Sequence, residues 1–263
     1  MSVLLTAALA IVAFSGAGAV FVTDLLAENE RPPRGAAIGM GIAAVLTAMT
    51  ILLAVNERGL ESMFSAYAVP AMVALAIAVG HLAVMTRYSA RGIGAIAAPL
   101  CALLMALFVS EQGVTRGAAD AMTPVLAVHV GLAVLGLASF ALAASVAVLY
   151  LVQERQLRQR SFGRLFQRLP SLDALDGANF HLVSVGFILY TVAVVLGVVA
   201  VLRSGHLVLD ARLSMAIVSW ALFAIVIHTR VTSGWRGRQA AWMSIIGCAA
   251  SLLILVFYAR PSA

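Results

Sequence analysis

Apolar residues in this chain do not alternate with polar ones; they run together. Eight runs stand at 3–22, 36–55, 64–86, 92–110, 123–152, 179–203, 211–229 and 239–259, and the gaps between them hold charges, Pro or Gly. About 20 residues at about 1.5 Å each match about 30 Å of hydrocarbon, so each run predicts a spanning helix. Inside hydrocarbon only helices and closed barrels satisfy every backbone N–H and C=O, and continuous runs of this length argue for helices. The expected fold is therefore all-α: a polytopic transmembrane helix bundle of about eight spans, in a single membrane domain over 1–263. The fifth run is longer than a bilayer needs, so its end is expected to emerge. Gly35 and Gly39 form a GxxxG spacing that allows helices to approach closely. The first run is read as an uncleaved span. Ala17-Gly18-Ala19 resembles a cleavage site, but no basic residue precedes the run as it does in a signal peptide.

Composition supports this solvent. Of 263 residues 63% are hydrophobic and 11% charged, against about 45–50% and about 25% in soluble domains. The 17 basic residues are all Arg, and they lie in short loops, which is a topology signal and not a nucleic-acid surface. The loops after spans 1, 3, 5 and 7 hold twelve of them, and the other side holds five. The positive-inside rule puts the twelve in the cytoplasm and both termini outside, in a bacterial inner membrane. The longest loop, 153–178, is also the most basic. Leu157, Phe162, Leu165, Phe166 and Leu169 recur at near-helical spacing between its arginines, predicting an interfacial amphipathic helix. Such a helix either lies on anionic lipid as an anchor or docks a cytosolic partner.

Chemistry has few places to reside. All eleven acidic residues fall in loops or at span edges, which disfavours a proton- or cation-coupled transporter. Cys101 and Cys248 are solitary, with no CxxC or CxxCH, so a disulfide framework, a thiol relay and covalent haem on this chain are not expected. The five histidines remain. His129 lies about 8 Å below the outer end of span 5, and His206 lies in the outer loop between spans 6 and 7. His81 and His228 each lie about 25 Å down from the outer starts of their spans, near the inner face, where His181 opens span 6. His129 and His228 are then too far apart in depth to ligate one iron. Each histidine either ligates a metal or bonds a neighbouring helix, and the sequence leaves both open.

Four segments in the second half carry a resemblance. Span 5 reads HVGLAVLGLASFALAASVAVLYLVQERQL from His129; the next loop reads LPSLDALDGANFHLVSVGF over 169–187. Asp210 is followed by Trp220 and by His228-Thr229-Arg230, and Gly234-Trp235-Arg236-Gly237-Arg238-Gln239-Ala240 enters the last span. In this order and spacing they resemble the cytochrome c assembly family, the CcsA/CcmC/HemX-type membrane proteins, well over 124–258 and more faintly before, from Glu61-Ser62. The family-like core is set at about 61–258.

The resemblance implies a non-enzymatic haem handler with a b-type, non-covalent haem. It implies His129, with His206, as the outer ligands and His228, with His81, as the inner ones, and it brings Asp210, Trp220 and Trp235 into the site. It implies other cytochrome c assembly proteins, or an enzyme of haem synthesis, as partners beside the membrane lipid. The chain departs from the export branches: the tryptophan-rich outer loop is replaced by AVLRSGHLVLD, in which Asp210 alone survives, and the family's DPKE reads Asp210-Ala211-Arg212-Leu213. That points to a divergent, HemX-like branch. The leading expectation is a part in cytochrome c assembly. The alternatives are a HemX-like regulator or scaffold of tetrapyrrole synthesis and, third, a small-solute transporter.

Overall fold

In a computed structural model of the chain every described element is helical. The structure describes residues 2–26, 34–64, 67–87, 91–110, 124–160, 163–203 and 211–259. The helices are α1 (Val3–Leu26), α2 (Arg34–Arg58), α3 (Val69–Arg87), α4 (Arg91–Ser110), α5 (Pro124–Arg158), α6 (Arg164–Arg168), α7 (Leu172–Arg203), α8 (Ala211–Thr232) and α9 (Arg238–Ala259), with a 3-10 turn at Leu60–Phe64. Among the described residues α1, α2, α4, α5, α7 and α8 are long and apolar enough to cross a membrane, and the apolar stretch of α3, Val69–Met85, is shorter. The fold is an all-α helical membrane bundle.

The helices are apolar on all sides, as lipid-solvated helices are. On α7 the buried row Val183, Gly186, Tyr190, Ala193 and the exposed row Val185, Ile188, Val192, Val195 differ little in polarity. The first row faces protein, and the second suits hydrocarbon.

Two groups of helices pack side by side. In the first, α1 lies against α2 and α4, and α3 against α4 and α2. In the second, α5 lies against α7 and α9, and α8 against α9 and α7. The groups meet where α3 and α4 lean on α5. The α5–α7 pair is antiparallel and close. A Cβ on Gly136 would stand 3.2 Å from the Gly186 carbonyl, and one on Gly186 would stand 2.8 Å from the Phe140 ring. Two side chains bond across the seam, Ser139 Oγ to the Leu182 carbonyl at 2.7 Å and Asn179 Nδ2 to the Ala143 carbonyl at 2.9 Å. Small residues let backbones approach, and polar ones find carbonyl partners, which is how helices associate without a hydrophobic drive between them. The GxxxG spacing is half used. Gly39 packs on Ala17 of α1, whereas nothing lies within 4 Å of a Cβ on Gly35. Both cysteines are free and buried.

The arginine-rich loop differs from its expectation. Residues up to Arg158 continue α5, and the chain breaks at Arg160, whose φ is 52°. The five-residue α6 follows, and α7 starts at Leu172 instead of 179. Gln153–Arg158 are good helix formers, and Glu154 pairs with Arg158 at 2.8 Å one turn on, so the spanning helix simply continues into the loop.

Candidate functional site

His129 stands in the second turn of α5, and its ring packs across the seam on α7. Its Nδ1 lies 2.6 Å from the Ala193 carbonyl oxygen. A carbonyl only accepts, so Nδ1 carries the hydrogen and Nε2 of the neutral ring carries the lone pair. Gly197 makes the room: a Cβ there would come 2.8 Å from His129 Cε1. A ring nitrogen that donates to a carbonyl while the other faces a ligand is the arrangement common among metal-binding histidines.

His81 on α3 is completely buried, and neither ring nitrogen has a hydrogen-bond partner. Phe21 of α1 meets the ring edge-on, 5.3 Å between centroids. His228 is exposed on α8. The structure therefore does not bring His81 and His228 together: one is enclosed where α1 meets α3, and the other stands on an open face. Along the antiparallel α5, α7 and α8, His129 and His228 are about 20 Å apart axially. Trp220 donates Nε1–H to Thr191 Oγ1 at 3.0 Å and stacks on Phe187, so it fastens α8 to α7. Trp235 is partly exposed in the α8–α9 loop. His206 and Asp210 lie outside the described residues.

Near the start of α7 a largely buried ion pair holds three elements together. Arg230 Nη2 lies 2.6 Å and Nη1 3.1 Å from the two carboxylate oxygens of Asp176. The backbone N–H of Gly237 donates to Asp176 Oδ1 at 2.9 Å. The guanidinium also covers the Phe180 ring at 4.5 Å. Gly237 has φ 72°, and the Tyr150 hydroxyl fills the space where a Cβ would sit. One turn further, Ser244 Oγ donates to Asn179 Oδ1 at 3.1 Å. Each of the four resemblance-bearing segments supplies a member of this cluster: Tyr150, Asp176 with Asn179, Arg230, and Gly237.

At the same end a cavity of about 400 Å³ opens between α3, α4, α5 and the α6–α7 corner. Its walls include Val84, Ile93, Val146, Leu175 and Leu182, and its polar edge is Gln167, Arg168 and His181. The sequence places His181 at a span opening and marks Arg168 only as one arginine of the basic loop. The usable signal for the ion pair was present: Asp176 and Arg230 carry opposite charge at the edges of two spans on the same side. No comparable signal marked the cavity, because its walls come from helices far apart in sequence.

The family profile described as Cytochrome C assembly protein matches residues 36–260. Inner membrane protein YpjD of Escherichia coli (strain K12) is 27% identical over 259 residues, 96% of this chain and 95% of its own length. Protein HemX of Brevibacillus brevis is 24% identical over 156 residues, 59% of this chain and 56% of its own. Cytochrome c biogenesis protein CcsA of Gloeothece citriformis is 31% identical over 83 residues, 31% of this chain and 25% of its own. The likeness thus reaches into the first half, where the motifs alone were faint. As with YpjD, the chain is a multi-pass inner membrane protein.

Proposed function

Since the chain belongs to the cytochrome c assembly protein family, we propose that it is a haem-handling membrane protein acting in cytochrome c assembly. One observation carries the reading: His129 is held by the Ala193 carbonyl in the tautomer that leaves Nε2 a lone pair, and Gly197 seats its ring. Haem would supply an iron that accepts an imidazole nitrogen. The histidines fit that group unequally. His129 has a fixed ring and an open nitrogen. His81 has two unpartnered buried nitrogens but close packing around it, and His228 is open but lines no described cavity. His129 is accordingly the principal ligand, near the end of α5 opposite the arginines. His206 and Asp210 belong to the same end by chain position, and His228 and His81 to the other. Trp220 acts by packing α8 on α7, and Trp235 by its place in the α8–α9 loop. None of these groups makes or breaks a bond; assembly partners supply the covalent attachment.

In this reading α3 and α9 complete eight crossings, with both termini outside and the arginine-rich end in the cytoplasm. The test is optical. Protein purified from haem-replete membranes should show a Soret band and a pyridine haemochrome, and His129→Ala should lower haem per chain, with His228→Ala and His81→Ala reporting on a second site. A wild-type preparation with no more haem than the three variants would end this reading. The regulatory alternative would then lead.

A further inference from the structure

Helix α5 is longer than a bilayer requires. Its 35 residues run about 52 Å, against about 30 Å of hydrocarbon, and a tilt of about 20° takes back little of the excess. The overhang lies at the arginine-rich end. There the Tyr150 hydroxyl meets Gly237, and Gly237 also donates to Asp176 of the ion pair, so these residues share one level. Helix α7 starts four residues before Asp176, α8 ends two after Arg230, and α9 starts one after Gly237. Helix α5 goes furthest: Arg158 comes eight residues after Tyr150, a rise of about 12 Å.

This end is not built as an anchor on lipid. An anchoring helix lies flat with its apolar face in the acyl boundary, whereas α5 continues the direction of its own span. Arg155, Leu157, Arg158 and Arg160 are all exposed on it. Leu157 stands about 10 Å beyond Tyr150, off the hydrocarbon. The α8–α9 loop adds exposed Trp235, Arg236 and Arg238 to the same surface. The two are joined through Gly237 on Tyr150, and Glu154 and Arg158 are near enough to Tyr150 to act on its hydroxyl. Arg158 pairs with Glu154, but Arg155, Arg160, Arg236 and Arg238 make no ion pair among the described residues. The negative potential of a bilayer surface fades within about 8 Å. Arginines at the tip of the overhang therefore gain more from an acidic group that comes to them than from headgroups below. Arg and Trp are enriched where proteins meet, and an apolar anchor inside a charged ring is the usual pattern there.

We propose that the overhanging end of α5 and the α8–α9 loop form a docking surface for an acidic segment of a soluble protein. Carboxylates of that segment pair with the exposed arginines, and its apolar side chains cover Leu157 and Trp235. Arg168 takes no part, since it is turned to Asp24 at the end of α1. The partner is cytosolic by the orientation proposed above, and the surface does not depend on the haem reading.

The experiment uses the full chain in phosphatidylcholine nanodiscs, which leave both faces accessible, so it reads the surface whichever way the chain is inserted in the cell. The probe is a fluorescent peptide of glutamates carrying two leucines, with a glutamine-for-glutamate version as control, followed by anisotropy. Wild type should bind the acidic peptide and not the control, and more weakly as salt is raised. Replacing Arg155, Arg158 and Arg160 together by Gln should weaken binding roughly tenfold, and replacing all three by Lys should keep most of it. Leu157→Ala and Trp235→Ala should each weaken it roughly fivefold with the salt slope unchanged. Binding untouched by those two truncations, or no preference over the glutamine control, overturns the docking surface. A nitroxide at Gln159→Cys gives a second measurement on an otherwise wild-type chain. With phosphatidylglycerol added to the nanodisc, the label should stay accessible to a water-soluble nickel chelate. Burial of the label among lipid would make the segment a membrane anchor and overturn the proposal.

Discussion

At His129 a missing Cβ on a neighbouring helix makes the room in which a backbone carbonyl fixes the ring. Gly197 leaves the notch, Nδ1–H donates to the Ala193 carbonyl, and Nε2 keeps the lone pair. Gly197→Ala should push the ring out of the notch and break that bond, because the new methyl would sit 2.8 Å from Cε1. The displaced atom is the tip of a movable side chain, so the cost in stability should stay within about 1 kcal/mol. Haem per chain and the Soret position should nevertheless change, read by absorbance beside a thermal melt. An unchanged spectrum would mean that the notch does not position a ligand. The histidines illustrate the reach of one-dimensional reading at this scale. Their depths could be estimated from residue counts, but not which of them would be enclosed like His81, seated like His129, or left open like His228. Those outcomes depend on the rotational setting of each helix against its neighbours, which an apolar all-round surface does not reveal.

Among the elements, α7, α8 and the α8–α9 loop depend on one ion pair. Arg230 and Asp176 are both mostly buried, with side-chain exposures of 9% and 14%. A pair of this kind is weak evidence of net stabilisation, but removing one partner strands the other. Asp176→Ala and Arg230→Ala should each destabilise the bundle by about 3–5 kcal/mol, and the double variant should cost less than the sum. Denaturant or thermal unfolding in detergent measures both, and strict additivity would show that the contact is not formed. The resemblance-bearing segments were legible as motifs, but their meeting around Asp176 was not. The motifs that led to the family serve here as fasteners between helices. The α5 extension teaches a second point: periodicity in 153–178 predicts an interfacial helix, whereas strong local propensity and the Glu154–Arg158 pair carry α5 on to Arg158.

For the whole molecule, the arrangement of arginines proposes an orientation that can be checked directly. Cys101 and Cys248 are buried, so the wild-type background for a membrane-impermeant maleimide should be low. On cells with a permeabilised outer membrane, Ser2→Cys should label and Gln159→Cys should not. The reverse pattern would invert the topology and place His129 at the cytoplasmic end. The division into two helix groups meeting at α5 was not legible, because it rests on packing between runs of similar composition.

The sequence alone determined the solvent, the helical class and the rough position of each spanning segment. These follow from hydrocarbon thickness and from the need to satisfy every backbone group locally, and both constraints act along the chain. Its motifs also carried the family likeness. The tertiary structure alone decided that His129 meets Ala193 and Gly197, that Asp176 meets Arg230 and Gly237, and that His181 and Arg168 border a cavity. Each of these depends on how helices rotate and slide against one another, and small residues at the seams settle that in three dimensions.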